Sequence, residues 1–277
     1  MDGRTRAIRR MTFVIPFPSI DPVIIAIGPF AIRWYALAYI AGLIFGWRLM
    51  RRMAARPPQA GTAEDVDDFL VWATIGVVLG GRLGYVLFYN PAYYFDNPLS
   101  AFAVWRGGMS FHGGFLGVIV ATVLFCRKRG IDLLLFSDRM ACVAPIGLFF
   151  GRIANFVNGE LFGRAADVPW AVVFPRGGPE PRHPSQLYEA LGEGALLFLV
   201  LMWLARSELN RRRPGLLTGV FMLGYSLVRV LGELFRQPDQ QIGFLSFGTT
   251  MGQWLSLPLL FAGLYLIRRA VRASPGA

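Results

Sequence analysis

Arg152 and Asn155 stand three residues apart in GRIANFVNGELFGR (151–164), which closes a long apolar run, so they share one helix face. Arg229 and Glu233 stand four apart near the end of another apolar run, a spacing at which the carboxylate can pair with the guanidinium and hold it in place. Tyr225, Arg229, Gly232 and Arg236 follow i, i+4, i+7 and i+11, which predicts one polar ridge along that helix. His112, one of two histidines, lies in RGGMSFHGGFLG, where Gly107, Gly108, Gly113 and Gly114 would leave room for a headgroup or another backbone. His183, in RHPSQLYEA, precedes the fifth apolar run, where it serves either the site or the structure around it. The groups offer cations, donors and one candidate general base, but no nucleophile of their own. There is no G-x-S-x-G elbow, Walker loop or dinucleotide fingerprint, and the histidines and scattered carboxylates show no metal-ligand spacing. The expectation is a site with no metal and no cofactor, whose attacking group belongs to a substrate.

The elements that carry these residues are apolar helices. Of 277 residues, 55% are hydrophobic and 16% charged, against about 25% charged in soluble domains. Runs long enough to cross a hydrocarbon core of ~30 Å recur along the chain. Seven spans are expected, at 30–48, 67–89, 109–126, 136–156, 187–205, 215–235 and 250–268. Pro29 suits the first turn of the first helix, and Thr62-x-x-Asp65 predicts a capping box ahead of the second. Pro145 and Pro258 should kink their helices, which neighbouring helices can accommodate. Gly76, Gly80 and Gly84, then Gly113, Gly117 and Ala121, then Gly147 and Gly151, form small-residue stripes suited to close helix packing in lipid. Cys126 and Cys142 lie in or beside apolar segments and suggest no disulfide framework.

All but one of the 28 basic residues are arginine, and the net charge is +11. Because the arginines punctuate apolar runs, they suggest topology signals and anionic headgroups rather than nucleic acid. The connections 48–56, 127–139, 206–213 and the C-terminal tail hold most of them, which favours an outer N-terminus and an inner C-terminus. In that orientation the outer helix ends carry Tyr35, Arg82, His112, Arg152, Asn155, Glu189, Glu193, Arg229, Glu233 and Gln253. A charge at mid-bilayer costs roughly 2.5–3.5 kcal/mol, so polarity shared by one face predicts a water-accessible outer cavity. The fold class expected is all-α: a polytopic transmembrane helical bundle of about seven spans, one integral membrane domain over 1–277, with an irregular outer segment at 157–186. A phospholipid transporter or flippase is the rival reading; it would need a polar path to both faces, and the inner halves are nearly clean of charge.

GRIANFVNGELFGR closely resembles the signature segment of the bacterial phosphatidylglycerol–prolipoprotein diacylglyceryl transferases. RWYALAY (33–39), GGMSFHGGFLG (107–117), HPSQLYEA (183–190) and FRQPDQQIG (235–243) resemble that family's other recurrent segments in order, over roughly residues 12 to 268. The resemblance implies a bacterial inner-membrane enzyme with its active site toward the periplasm. Its partners would be phosphatidylglycerol, the lipobox cysteine of a prolipoprotein signal peptide and membrane lipids. By motif match, His112, Tyr35, Arg152, Asn155 and Gly163 fall on essential positions, with Glu160 beside them, and Arg229 and Glu233 match a functional Arg/Glu pair. Arginines suit phosphate, so Arg152 and Arg229 would bind it, near Arg236. Asn155 and Tyr35 would orient headgroup oxygens, and His112 would take the thiol proton or bind the headgroup. Glu160 would fix an arginine or meet glycerol hydroxyls, and Gly163 would allow a turn closed to other residues.

Overall fold

The computed structural model describes residues 15–18, 21, 23–28, 30–238 and 243–273. The arginine-rich first ten residues, Pro29 and part of the FRQPDQQIG segment therefore lie outside the described residues. Seven long helices occupy the places of the seven expected spans: α1 (Trp34–Ala54), α2 (Ala63–Phe88), α3 (Phe111–Arg129), α4 (Leu133–Val157), α5 (Ser185–Arg206), α6 (Leu216–Gly232) and α7 (Met251–Arg272). Five of them, α2 to α5 and α7, are long and apolar enough to cross a membrane. The sixth helix is apolar but only 17 residues long, and α1 carries Arg48, Arg51 and Arg52 in its later turns. The chain is a polytopic helical membrane protein.

Two ends differ from expectation. Residues 30–33 do not open the first helix: β2 (Phe30–Arg33) pairs antiparallel with β1 (Val23–Ile27) beyond Gly28, whose φ is +58°, and helix starts only at Trp34. The sixth helix ends at Gly232, so Arg236 is not on a helical ridge; it bridges to Gly163. Local signals otherwise act as their chemistry requires. The Thr62 and Asp65 side chains each accept the other's backbone N–H, at 3.1 and 2.8 Å. Pro145 and Pro258 lie inside continuous helices.

The chain forms two compact units, each assembled from three separate stretches of sequence. One comprises Met1–Ile44, Pro145–Leu199 and Met222–Ala262; the other comprises Phe45–Ala144, Val200–Phe221 and Gly263–Ala277. In the second unit the glycine stripes meet each other: a Cβ at Gly84 would lie 2.9 Å from Gly113 Cα, and one at Gly80 would strike the Gly113 carbonyl. Backbones in such contact gain dispersion and leave no room for side chains. Phe69, Phe125 and Phe136 centre a core there with Met50, Ala54 and Val66. The buried Asp138 accepts from the Gly215 and Thr218 amides at 2.9 and 2.7 Å, capping the start of α6.

In the first unit the segment expected to be irregular, 157–186, is stitched by isolated bridges, Gly163 to Arg236 and Ala165 and Val172 to Arg182. Its two-residue strand Val172–Val173 pairs in parallel with Ile15–Pro16.

Candidate active site

The first unit gathers six charged side chains from three stretches of sequence. Arg152 comes from the last turns of α4. Its Nε and Nη2 donate to Glu193 Oε2 at 3.2 and 3.0 Å, and its Nη1 lies 2.9 Å from Glu189 Oε2. Arg229, near the end of α6, reaches Glu189 Oε1 through Nη1 at 2.5 Å and Glu233 Oε1 through Nη2 at 2.6 Å. Arg236 Nη1 lies 3.5 Å from the same Glu189 oxygen. Three guanidiniums thus face three carboxylates. The Glu189 and Glu193 side chains are fully buried, whereas those of Arg152 and Arg229 keep 14% exposure. The buried carboxylates thus hold the guanidiniums, and the two arginine side chains are the more accessible members of the cluster.

The local backbone explains how two glutamates enter an apolar helix. Within α5 the stretch Ala190–Leu196 is a π-helical turn, a widened form frequent at functional sites. Gly192 and Gly194 let it press on its neighbours, since a Cβ there would lie 2.5 Å from Val228 and 2.6 Å from Phe149. A shallow cavity beside the arginines is lined by Arg229, Glu233, Arg236, Thr250, Met251 and Gly252.

The signature segment works mainly as a frame. Asn155 Nδ2 donates to Glu160 Oε1 at 2.8 Å, with Asn158 Nδ2 at 3.4 Å from the same atom, so Glu160 fixes asparagines rather than an arginine. The residues with left-handed φ here are Gly159 at 62° and Leu161 at 57°, and not Gly163. Gly163 is needed for close approach instead: a Cβ would lie 2.6 Å from His183 Cβ, His183 O and Phe235 O. Its own N–H donates to His183 O, and Arg164 N–H donates to Phe235 O. The Arg164 side chain donates to the carbonyls of Glu233 and Arg236 at 2.9 and 3.0 Å, tying the segment to the chain beyond α6.

His183 belongs to this frame. Its Nδ1 lies 3.1 Å from the Tyr188 hydroxyl, which also accepts from Trp170 Nε1 at 2.6 Å. Burial pushes the imidazole pKa below its ordinary value, favouring the neutral ring. Tyr35, at the start of α1, donates to the Tyr39 hydroxyl at 3.1 Å.

His112 and Arg82 belong to the second unit. His112 is exposed in the first turn of α3, beyond the cap in which Ser110 Oγ accepts the Gly113 N–H. Its glycines do not simply clear space around it: Gly113 is consumed in the contact with Gly80 and Gly84, and Gly108 packs on Tyr85 and Arg82. Arg82, buried, donates to the carbonyls of Ser100, Ala101, Gly107 and Gly108 at 2.6–3.1 Å and so pins the segment leading to His112.

Of the residues singled out in the sequence, Arg152, Arg229, Glu233 and Arg236 come together in the cluster, and Asn155, Glu160 and Gly163 in the adjoining frame. Glu189 and Glu193 were legible as polar residues at a helix end but carried no assigned role. The signal was their four-residue spacing in an apolar helix, where unpaired carboxylates are expensive.

The fold and the site together define a polytopic helical membrane protein with a largely buried arginine–glutamate cluster. The family model described as "Prolipoprotein diacylglyceryl transferase" matches residues 22–269. Phosphatidylglycerol–prolipoprotein diacylglyceryl transferase of Paramagnetospirillum magneticum is 64% identical over 263 residues, covering 95% of this chain and 98% of the relative. The protein of the same name from Rhodospirillum rubrum is 60% identical over 268 residues, with 96% and 97% covered, and that from Gluconacetobacter diazotrophicus is 58% identical over 260 residues, with 93% of each covered. The chain belongs to the prolipoprotein diacylglyceryl transferase family.

Proposed function

We propose that this chain moves the diacylglyceryl group of phosphatidylglycerol onto the lipobox cysteine thiol of a prolipoprotein. The sulfur attacks the terminal methylene of the diacylglyceryl group, the bond from that carbon to the phosphate oxygen breaks, and glycerol 1-phosphate leaves as a thioether forms. The observation that carries the reading is Arg152 and Arg229 held against one fully buried carboxylate while their own side chains stay partly exposed. Such a pair suits a phosphate whose oxygen gains charge as the carbon–oxygen bond breaks. Family membership supplies the donor and acceptor classes.

A free thiol near pKa 8.5 is only a few per cent thiolate at neutral pH. His112, assigned through its motif, takes that proton, a role typically worth about 10²–10⁴-fold. Asn155 and Tyr35 orient headgroup oxygens. Glu160 sets the Asn155 amide, Gly163 keeps the frame closed, and Glu233 and Arg236 line the headgroup side. The protein resides in the bacterial inner membrane with this site toward the periplasm, where its substrates are membrane lipid and the signal peptide.

The test is purified protein in detergent with phosphatidylglycerol and a lipobox peptide carrying one cysteine, read as a diacylglyceryl mass gain and released glycerol phosphate. Transfer should vanish with Arg152→Ala and with a Cys→Ser peptide, and His112→Gln should bind lipid yet fail to transfer. Folded wild-type protein that binds phosphatidylglycerol but never modifies the peptide would overturn the reading.

A further inference from the structure

Glu189 stands at the centre of the cluster without touching the exposed face. One oxygen meets Arg229 and Arg236, and the other meets Arg152. The separation of the two foremost guanidiniums is therefore set by a single carboxylate on the rim of a π-helical turn. Glu193 grips the other edge of Arg152, and Glu233 the other edge of Arg229. By formal charge three arginines balance three glutamates. On the proposed reaction this balance matters most at product release. The donor phosphodiester carries one negative charge, while the departing phosphomonoester, with a second pKa near 6, carries close to two at neutral pH. A cluster with surplus positive charge would hold the product more tightly than the substrate and so slow turnover.

We propose that Glu189 is a positioning residue with two separable tasks. It fixes the spacing of Arg152 and Arg229, and with Glu193 it keeps the cluster neutral so that the phosphomonoester leaves. The inference rests on the transferase reading for the identity of the product.

Three variants separate spacing from charge. Glu189→Gln keeps the shape and removes the charge. kcat should fall at least about 10-fold while glycerol 1-phosphate inhibits about 10-fold more strongly, and the KM for phosphatidylglycerol should move less than the inhibition constant. Glu189→Asp keeps the charge on a shorter arm: kcat should fall with no gain in product inhibition. Glu193→Gln, whose carboxylate bonds Arg152 and not Arg229 directly, should shift inhibition in the same direction by a smaller factor, and it remains informative if position 189 tolerates no change. Calorimetry with glycerol 1-phosphate reads the charge effect without turnover. Glu189→Gln and Glu193→Gln proteins that bind glycerol 1-phosphate no more tightly than wild type would overturn the neutrality argument. A Glu189→Asp protein with unchanged kcat would overturn the spacing argument. Wild-type protein that transfers nothing to the peptide would instead overturn the transferase reading, so the failures are distinct.

Discussion

Gly163→Ala tests whether the frame of the site is set by backbone contact. The added methyl would lie 2.6 Å from three atoms, two of them the backbone oxygens of His183 and Phe235. Ordinary contact begins at 3.4 Å, so the junction must open by about 0.8 Å. No flexible side-chain tip is available to yield, and overpacking of this kind costs roughly 1–3 kcal/mol. The opening falls on the hydrogen bonds that Gly163 N–H makes to His183 O and Arg164 N–H makes to Phe235 O. Arg236, the next residue after Phe235, reaches Glu189 from there. A misplacement near 1 Å can cost about 10²-fold in rate. The expected outcome is a folded variant with a lower Tm and kcat reduced on the order of 10²-fold, measured by peptide modification beside thermal unfolding in the same detergent. Full activity with an unchanged Tm would refute the reasoning.

Arg82→Ala should act on stability before chemistry. It strips four backbone carbonyls of a buried cationic donor. Hydrogen bonds to charged groups contribute about 1.5–3 kcal/mol each, and solvent reaching the freed carbonyls offsets much of the sum. A loss of about 3 kcal/mol and new proteolytic cleavage within 98–108 are expected; an unchanged digestion pattern and Tm would count against the pinning role. For His183, burial lowers the folded-state pKa below the unfolded value near 6.5, so the unfolded chain binds the proton more readily. Its contribution to stability is thus complete above about pH 6.5 and declines as pH falls through the folded value. The fall of Tm between pH 7 and pH 5 should be shallower in His183→Gln than in wild type, and identical slopes would reject the account.

The helices were legible because apolar length and caps are local properties. Thr62 and Asp65 form the capping box their spacing predicts, and the glycine stripes of α2 and α3 meet as small residues in lipid must. Arg229 and Glu233 pair as their four-residue spacing requires. What spacing could not supply was every relation between distant segments. A helical ridge was drawn through Arg236, but α6 stops at Gly232 and Arg236 returns toward Glu189 by way of the bridge to Gly163. The motif leaves Glu160 either an arginine or glycerol hydroxyls to meet, and its hydrogen-bond partner in space is Asn155. Gly163 suggests an unusual φ, and its actual constraint is the approach of two irregular segments distant in sequence, at His183 and Phe235. The π-helical turn that presents Glu189 and Glu193 has no periodicity signature, because one widened turn leaves the apolar pattern around it intact.

Among the buried and half-buried arginines, read from sequence as one population, two kinds of partner stand out. Arg82, Arg164 and Arg211 donate chiefly to backbone carbonyls, holding irregular segments that no helix ladder satisfies. Such segments near a membrane need internal donors, and a five-donor fork supplies several at once. Once its edges are spent on carbonyls fixed in the frame, a guanidinium has little left to give a phosphate without dismantling that frame. Arg152 and Arg229 are partnered by carboxylates instead. A carboxylate and a phosphate present the same kind of oxygens to the same fork, so an incoming phosphate can share or displace these bonds while the helices stay in place. Removing a carbonyl-bound arginine should therefore appear first as lost stability, and removing a carboxylate-bound one as lost turnover. Carboxylate partners alone do not single out Arg152 and Arg229, since Arg51, Arg129 and Arg212 also pair with carboxylates. Those pairs are far more exposed, and it is carboxylate partnership together with burial that sets Arg152 and Arg229 apart from them.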